Sequence, residues 1–364
     1  MIAFAPNHHT TRWARALRAT GLDVHVVCMS SPDEDYGLPG IPVHPVPKPP
    51  THLPIVASAA VWYETLRQIS PDVVYMQWLF ARPAMLLALD PQWPLVVTVM
   101  GSDVLQDRSL RESWLDRSVR TALLLRAHTV TAAARPLAQV VARYHPSLAA
   151  RIHIVPFGVD TRRFTPGPVR TSPGPLRIGH FKSDDPVYGR IDLLRAVEPL
   201  VREGRPIRLH LAGKRGNDDG SVAQFLIAHP HVQACVVDHG LVSVDAMPAL
   251  YRDLDVYVLS SQQESFGVAA AEALACGVPV IASDIGGVRA LVQSGSTGLL
   301  VPAGDVQALR QALVELAELP DLRASCGQRG RLRVQRHFEW SETVDHMARL
   351  IRGAACDQVT APAA

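Results

Sequence analysis

Two glutamates, Glu264 and Glu272, stand with seven residues between them around a turn that reads Ser265-Phe266-Gly267-Val268. Glycine at such a turn lets a ligand approach the backbone closely. The helix that follows presents N–H groups and a partial positive charge at its start, a ready seat for phosphate. A carboxylate beside a phosphate is unfavourable unless it engages a neutral partner, and sugar hydroxyls are such partners. A phosphate seat between two hydroxyl-binding carboxylates suits a nucleotide sugar.

The elements that must hold these residues are legible around them. Val256-Tyr257-Val258-Leu259 is a short apolar run bounded by polar residues, hence a buried strand. An Ala-rich helical pattern runs from Gly267 to Leu274, Cys276-Gly277 stops it, and Pro279-Val280-Ile281-Ala282 starts the next strand. The order is strand, tight turn, helix, strand.

This stretch resembles the family 4 glycosyltransferases, retaining enzymes of the GT-B fold. Their signature places Phe-Gly after the first Glu and Ala-Cys-Gly-Val-Pro-Val after the second. Glu264-Ser265-Phe266-Gly267, Glu272-Ala273 and Ala275-Cys276-Gly277-Val278-Pro279-Val280 reproduce it, with Gly286-Gly287 and Gly298-Leu299-Leu300-Val301-Pro302 following. The resemblance implies an α/β chain of two Rossmann-like domains facing each other across a cleft. It implies transfer of a sugar from a nucleoside-diphosphate sugar to an acceptor hydroxyl with retention, with no metal and no bound cofactor. Glu264 is then the catalytic candidate that orients the donor sugar, and Glu272 binds the ribose. Ser265, Phe266, Gly267 and Val268 line the diphosphate. Two other readings share the plan: a nucleotide-sugar epimerase, and a catalytically silent subunit that binds sugar nucleotides.

Further candidates follow from the same resemblance. Ile178-Gly179-His180-Phe181-Lys182 ends a strand, and Tyr188-Gly189-Arg190 opens a helix, like the family's diphosphate-binding loop. His180 and Tyr188 stand where many members carry Arg and Lys. A departing diphosphate needs a cation. Lys182 is the first choice, then Arg190, then His180, with Gly179 beside them. Met100-Gly101-Ser102-Asp103 follows a strand and resembles the Gly-Ser-Asp segment of the first domain. Asp103 is expected either to act on an acceptor hydroxyl or to cap the next helix. Gly101, His9 and Arg12 are acceptor-side candidates, the last two in a loop Asn7–Arg12.

The chain has 364 residues, 48% hydrophobic and 19% charged, which suits two globular domains. Alternating strand-like and helix-like segments imply parallel sheets. The expected plan is a first domain 1–163, a Pro/Gly-rich linker 164–176, a nucleotide-sugar domain 177–340, a helix 341–353 docking back on the first domain, and a flexible tail 354–364. A net charge of +2 is too mild for nucleic acid. Five scattered cysteines, no leader pattern and no membrane-length apolar run imply the cytoplasm. Arg108, Arg111, Arg117, Arg120 and Arg126, with Leu110 and Trp114 among them, read as an amphipathic domain helix or as a peripheral contact with the inner membrane face. Asp33-Glu34-Asp35 mimics a metal motif but lies far from the signature. The Arg-, Ala- and Pro-rich composition looks bacterial, which suits synthesis of a polysaccharide, a glycolipid or a glycosylated metabolite.

Overall fold

A computed structural model describes residues 1–3, 8–29, 36–46, 55–79, 84–105, 114–168, 174–214 and 219–360. The chain forms two compact units, Met1–Pro156 with Glu342–Ala364, and Phe157–Ser341. Asn7, Asp33–Asp35, Arg108, Leu110, Arg111, residues 169–173 of the expected linker and residues 361–364 of the expected tail lie outside the described residues.

In the first unit the strands are β1 (Ile2–Ala3), β2 (Val26–Met29), β3 (Val43–Val46), β4 (Val74–Gln77), β5 (Leu95–Val99), β6 (Thr129–Ala132) and β7 (Ile152–Ile154), in the order β3-β2-β1-β4-β5-β6-β7. All pairs are parallel. Strands β2, β4, β5 and β6 are buried along their whole length, because helices cover both faces of such a sheet. Strand order reverses between β1 and β4, the position where doubly wound sheets bind ligands beyond the strand carboxyl ends.

The second unit repeats this scheme with β8 (Leu176–Phe181), β9 (Ile207–Ala212), β10 (Val236–Asp238), β11 (Val256–Leu259), β12 (Val280–Ser283) and β13 (Gly298–Val301), ordered β10-β9-β8-β11-β12-β13. Its reversal falls between β8 and β11. The Val268–Ala275 helix is apolar nearly all round, and Ala270, Ala271, Ala273, Leu274 and Ala275 are fully buried.

Three expectations about organisation change. The units divide at Pro156–Phe157 rather than near residue 164, because Phe157, Val159 and Phe164 are all buried and Phe157 and Phe164 pack on rings of the second unit. The last helix runs Trp340–Thr360, so residues 354–360 are helical and not a tail. Its Met347, Ala348, Ile351 and Ala354 are buried, and that apolar stripe outweighs the small, polar composition of the segment. His9 and Arg12 lie in a helix, His8–Ala19, rather than a loop; buried Thr10, Trp13, Ala14 and Leu17 carry its inward face.

Candidate functional site

Strands β8 and β11 are hydrogen-bonded neighbours, with Val256 opposite Ile178 and Tyr257 opposite Gly179. Lys182 follows the end of β8 and Glu264 follows the end of β11, so topology delivers both to one place. Lys182 Nζ lies 2.9 Å from Glu264 Oε2, with the two side chains only 17% and 12% exposed. Ser261 Oγ approaches the same oxygen at 3.5 Å. The ammonium also sits 4.8 Å from the centre of the Tyr188 ring, a favourable place for a cation. Partial burial makes this pair stronger than an exposed one, since water screens it less.

The backbone beneath Lys182 is fixed from two sides. The Arg190 guanidinium donates to the Lys182 carbonyl and, at 3.0 Å, to that of Ala212. Gly213 packs against the same carbonyl at φ +134°, and a Cβ there would lie 2.3 Å from Lys182 O. Only glycine fits so close an approach.

Three residues past Glu264, Gly267 precedes the Val268–Ala275 helix at φ +92°, a left-handed conformation that glycine adopts freely. Phe266 anchors this turn: its ring is fully buried, edge-on to Phe157 at 5.9 Å and to Phe338 at 5.5 Å. One turn into the helix, Glu272 Oε2 accepts a 3.0 Å hydrogen bond from the Tyr251 hydroxyl. Burial, and then the nearby Glu272 charge, push the Tyr251 phenol well above its usual range, so it stays a donor. The rings of Phe164, Phe181 and Tyr257 surround Tyr251 and hold it in place.

The sequence model described as Glycosyltransferase Family 4 matches residues 7–163, and that described as Glycosyl transferases group 1 matches residues 176–318. Together they take in most of both units. The chain is a family 4, group 1 glycosyltransferase. It is 29% identical over 373 residues to a D-inositol 3-phosphate glycosyltransferase of Arthrobacter, covering 93% of this chain and 87% of that protein. With the Gordonia bronchialis protein of the same name it shares 33% identity over 212 residues, covering 54% of this chain and under half, 46%, of the relative. Its fold is similar to that of sucrose-phosphate synthase from Thermosynechococcus elongatus, with TM-score 0.82 and 20% identity, covering 98% of this chain and 94% of the other. HepE of Anabaena, solved in complex with UDP-glucose, is similar at TM-score 0.78 and 18% identity, covering 97% and 98%.

Within the glycosyltransferase, three expected donor contacts take other places. His180 is fully buried and its Nε2 lies 3.1 Å from the Tyr188 carbonyl, which fixes the proton on Nε2. Burial first, then the Arg190 charge, lower its pKa to about 3. A neutral, enclosed imidazole cannot act as the phosphate cation; it ties the 182–190 loop to β8. Arg190, 8% exposed, is committed to the carbonyls named above. Gly179 makes room for Leu254, whose methyl would lie 2.2 Å from a Cβ, and so serves packing.

In the first unit, Asp103 is 8% exposed, and its carboxylate accepts N–H groups from Gly101 at 2.8 Å, Met100 at 3.0 Å and Leu79 at 3.1 Å. Burial raises its pKa while these N–H groups oppose the rise. This geometry makes Asp103 the organiser of a turn rather than a group that reacts. Gly101 forms that turn at φ +114°, and His9 and Arg12 are half-buried on the first helix.

Tyr251 and Ser261 had no local signature in the sequence, because each matters only through what the fold sets beside it. The Trp114–Arg126 helix buries Val119, Leu123 and Leu124, and its Arg126 and Arg120 donate to the carbonyls of Trp93 and Asp103. Among the described residues no group of three or more His, Cys, Asp or Glu is arranged to hold a metal ion. No described helix is long and apolar enough to cross a membrane.

Proposed function

We propose that this glycosyltransferase takes its sugar from a nucleoside-diphosphate sugar and passes it to an acceptor hydroxyl with retention of configuration, without a catalytic metal. The observation that carries the reading is the Lys182–Glu264 pair, set at the strand reversal of the second unit and three residues before the start of the Val268–Ala275 helix. In this reading the N–H groups of Phe266, Gly267 and Val268, with Ser265, hold the diphosphate. Lys182 moves to the leaving phosphate, Glu272 binds the ribose hydroxyls, and Glu264 orients the donor sugar. The bond from the anomeric carbon to the phosphate oxygen breaks as the acceptor oxygen bonds to that carbon from the same face. The acceptor proton passes to the departing phosphate. His9, Arg12 and Gly101 serve the acceptor side. The fold shared with HepE, a protein solved with UDP-glucose, supports a nucleotide-sugar donor. Five free cysteines support a reducing, cytoplasmic setting.

Calorimetric titration with a panel of nucleoside diphosphates and their sugars, in metal-free buffer, tests the reading. Selective binding that is lost in Glu272→Ala is expected. No binding across the panel would overturn the donor reading and leave the signature as a scaffold.

A further inference from the structure

Trp78 is the first residue after β4, on the edge of the first sheet where strand order reverses. Its backbone is left-handed, at φ +73°. Ser70, at φ +48°, shares this sign but ends the Ile55–Ile69 helix, where such a conformation is ordinary. Trp78 follows a strand and carries a bulky ring, so the conformation is strained.

The neighbours impose it. The Trp78 N–H donates to the Thr98 carbonyl at 3.1 Å. The next N–H, that of Leu79, donates to buried Asp103 at 3.1 Å, and the Leu79 side chain is 2% exposed. With the chain pinned on both sides, Trp78 remains 40% exposed. A large apolar ring held toward solvent at an energetic cost, on the ligand-binding edge of a doubly wound sheet, is a binding feature.

We propose that Trp78 is the acceptor platform: its indole face receives the C–H face of a ring-shaped polyol, a sugar or a cyclitol. This rests on the transferase reading above and names the class of its acceptor. An uncharged indole selects by shape, and an open-chain polyol offers no flat apolar face to it. Asp103 is then a positioning residue that acts through Leu79 to aim the ring.

Saturation-transfer NMR on the full chain tests this, with methyl α-D-glucopyranoside, methyl α-D-mannopyranoside and myo-inositol as probes and glycerol as the open-chain control. The wild type, Trp78→Phe and Trp78→Gly are compared, each with the nucleoside diphosphate that calorimetry selects. At least one ring probe should show saturation in the wild type and in Trp78→Phe, and lose it in Trp78→Gly, while glycerol shows none. Trp78→Gly, relieved of strain, should melt at or above the wild-type temperature and bind nucleoside diphosphate unchanged. Ring saturation that survives in Trp78→Gly, absence of any ring signal in the wild type, or a lower melting temperature in Trp78→Gly would each overturn the proposal. Loss of nucleotide binding in the wild type would instead sink the transferase reading beneath it.

Discussion

Lys182 and Glu264 hold each other across adjacent strand ends, ammonium to carboxylate at 2.9 Å. That ammonium has further N–H groups to offer, and an incoming diphosphate would compete with the carboxylate for its charge. In the proposed reading, arrival of donor draws Lys182 toward the phosphate and loosens its hold on Glu264 Oε2, leaving that oxygen for a sugar hydroxyl.

Glu264→Gln separates these two roles. Removing the carboxylate charge frees Lys182, so nucleoside diphosphate should bind as tightly as in the wild type or more tightly. Turnover should fall on the order of a hundredfold, about 2.7 kcal/mol, if Glu264 acts chiefly in the transition state. Calorimetry and steady-state rates read the two effects, and wild-type turnover would remove Glu264 from the catalytic residues.

Lys182→Ala should weaken nucleoside-diphosphate binding by roughly ten- to a hundredfold, the worth of a charge-assisted contact of about 1.5–3 kcal/mol. Titration calorimetry measures it. With Arg190 and His180 buried and engaged elsewhere, unchanged affinity would mean that backbone N–H groups alone form the phosphate seat.

Tyr251→Phe deletes one hydroxyl and removes its hydrogen bond to Glu272. A loss of about 1 kcal/mol, roughly fivefold in nucleotide affinity, is expected. The effect should vanish in a Glu272→Ala background; a full effect there would show that Tyr251 acts by another route.

His180 makes stability depend on pH in a stated direction. The folded protein keeps it neutral down to about pH 3, whereas the ordinary value for the unfolded chain is 6.5. Between these values the unfolded chain binds the extra proton, so stability is lost as pH falls through the window, by at most about 1.4 kcal/mol per pH unit. His180→Gln can still donate to Tyr188 O and lacks this slope. Urea unfolding at pH 7 and pH 5 should show a smaller acid loss for the variant; equal losses would mean that His180 titrates normally in the fold.

What could be read from the chain was what neighbours along it decide. The strand, turn, helix and strand around Glu264 and Glu272 are contiguous, and Gly267, the alanines and Cys276-Gly277 mark them without help from elsewhere. Lys182 was reachable because it follows a strand end. His180 and Arg190, two and eight residues from Lys182, were read as cations facing a ligand for one reason: the sequence does not say whether a polar side chain turns inward, and only the packed structure does. Asp103 illustrates the same limit, since Leu79, one of its three N–H partners, lies on another strand end. The strain at Trp78 is set by Thr98 and Asp103 together, and no property of the Gln77-Trp78-Leu79 segment announces it.

The first unit is encoded at both ends of the chain, Met1–Pro156 and Glu342–Ala364. A ribosome therefore finishes the whole second unit before the residues that complete the first have emerged. During that interval the first unit lacks Met347, Ala348, Ile351 and Ala354, and the apolar surface they would cover stays open. Biosynthesis thus sets an order of assembly: the later-encoded unit matures first, and the earlier one waits for the final helix, exposed meanwhile to chaperones and to aggregation.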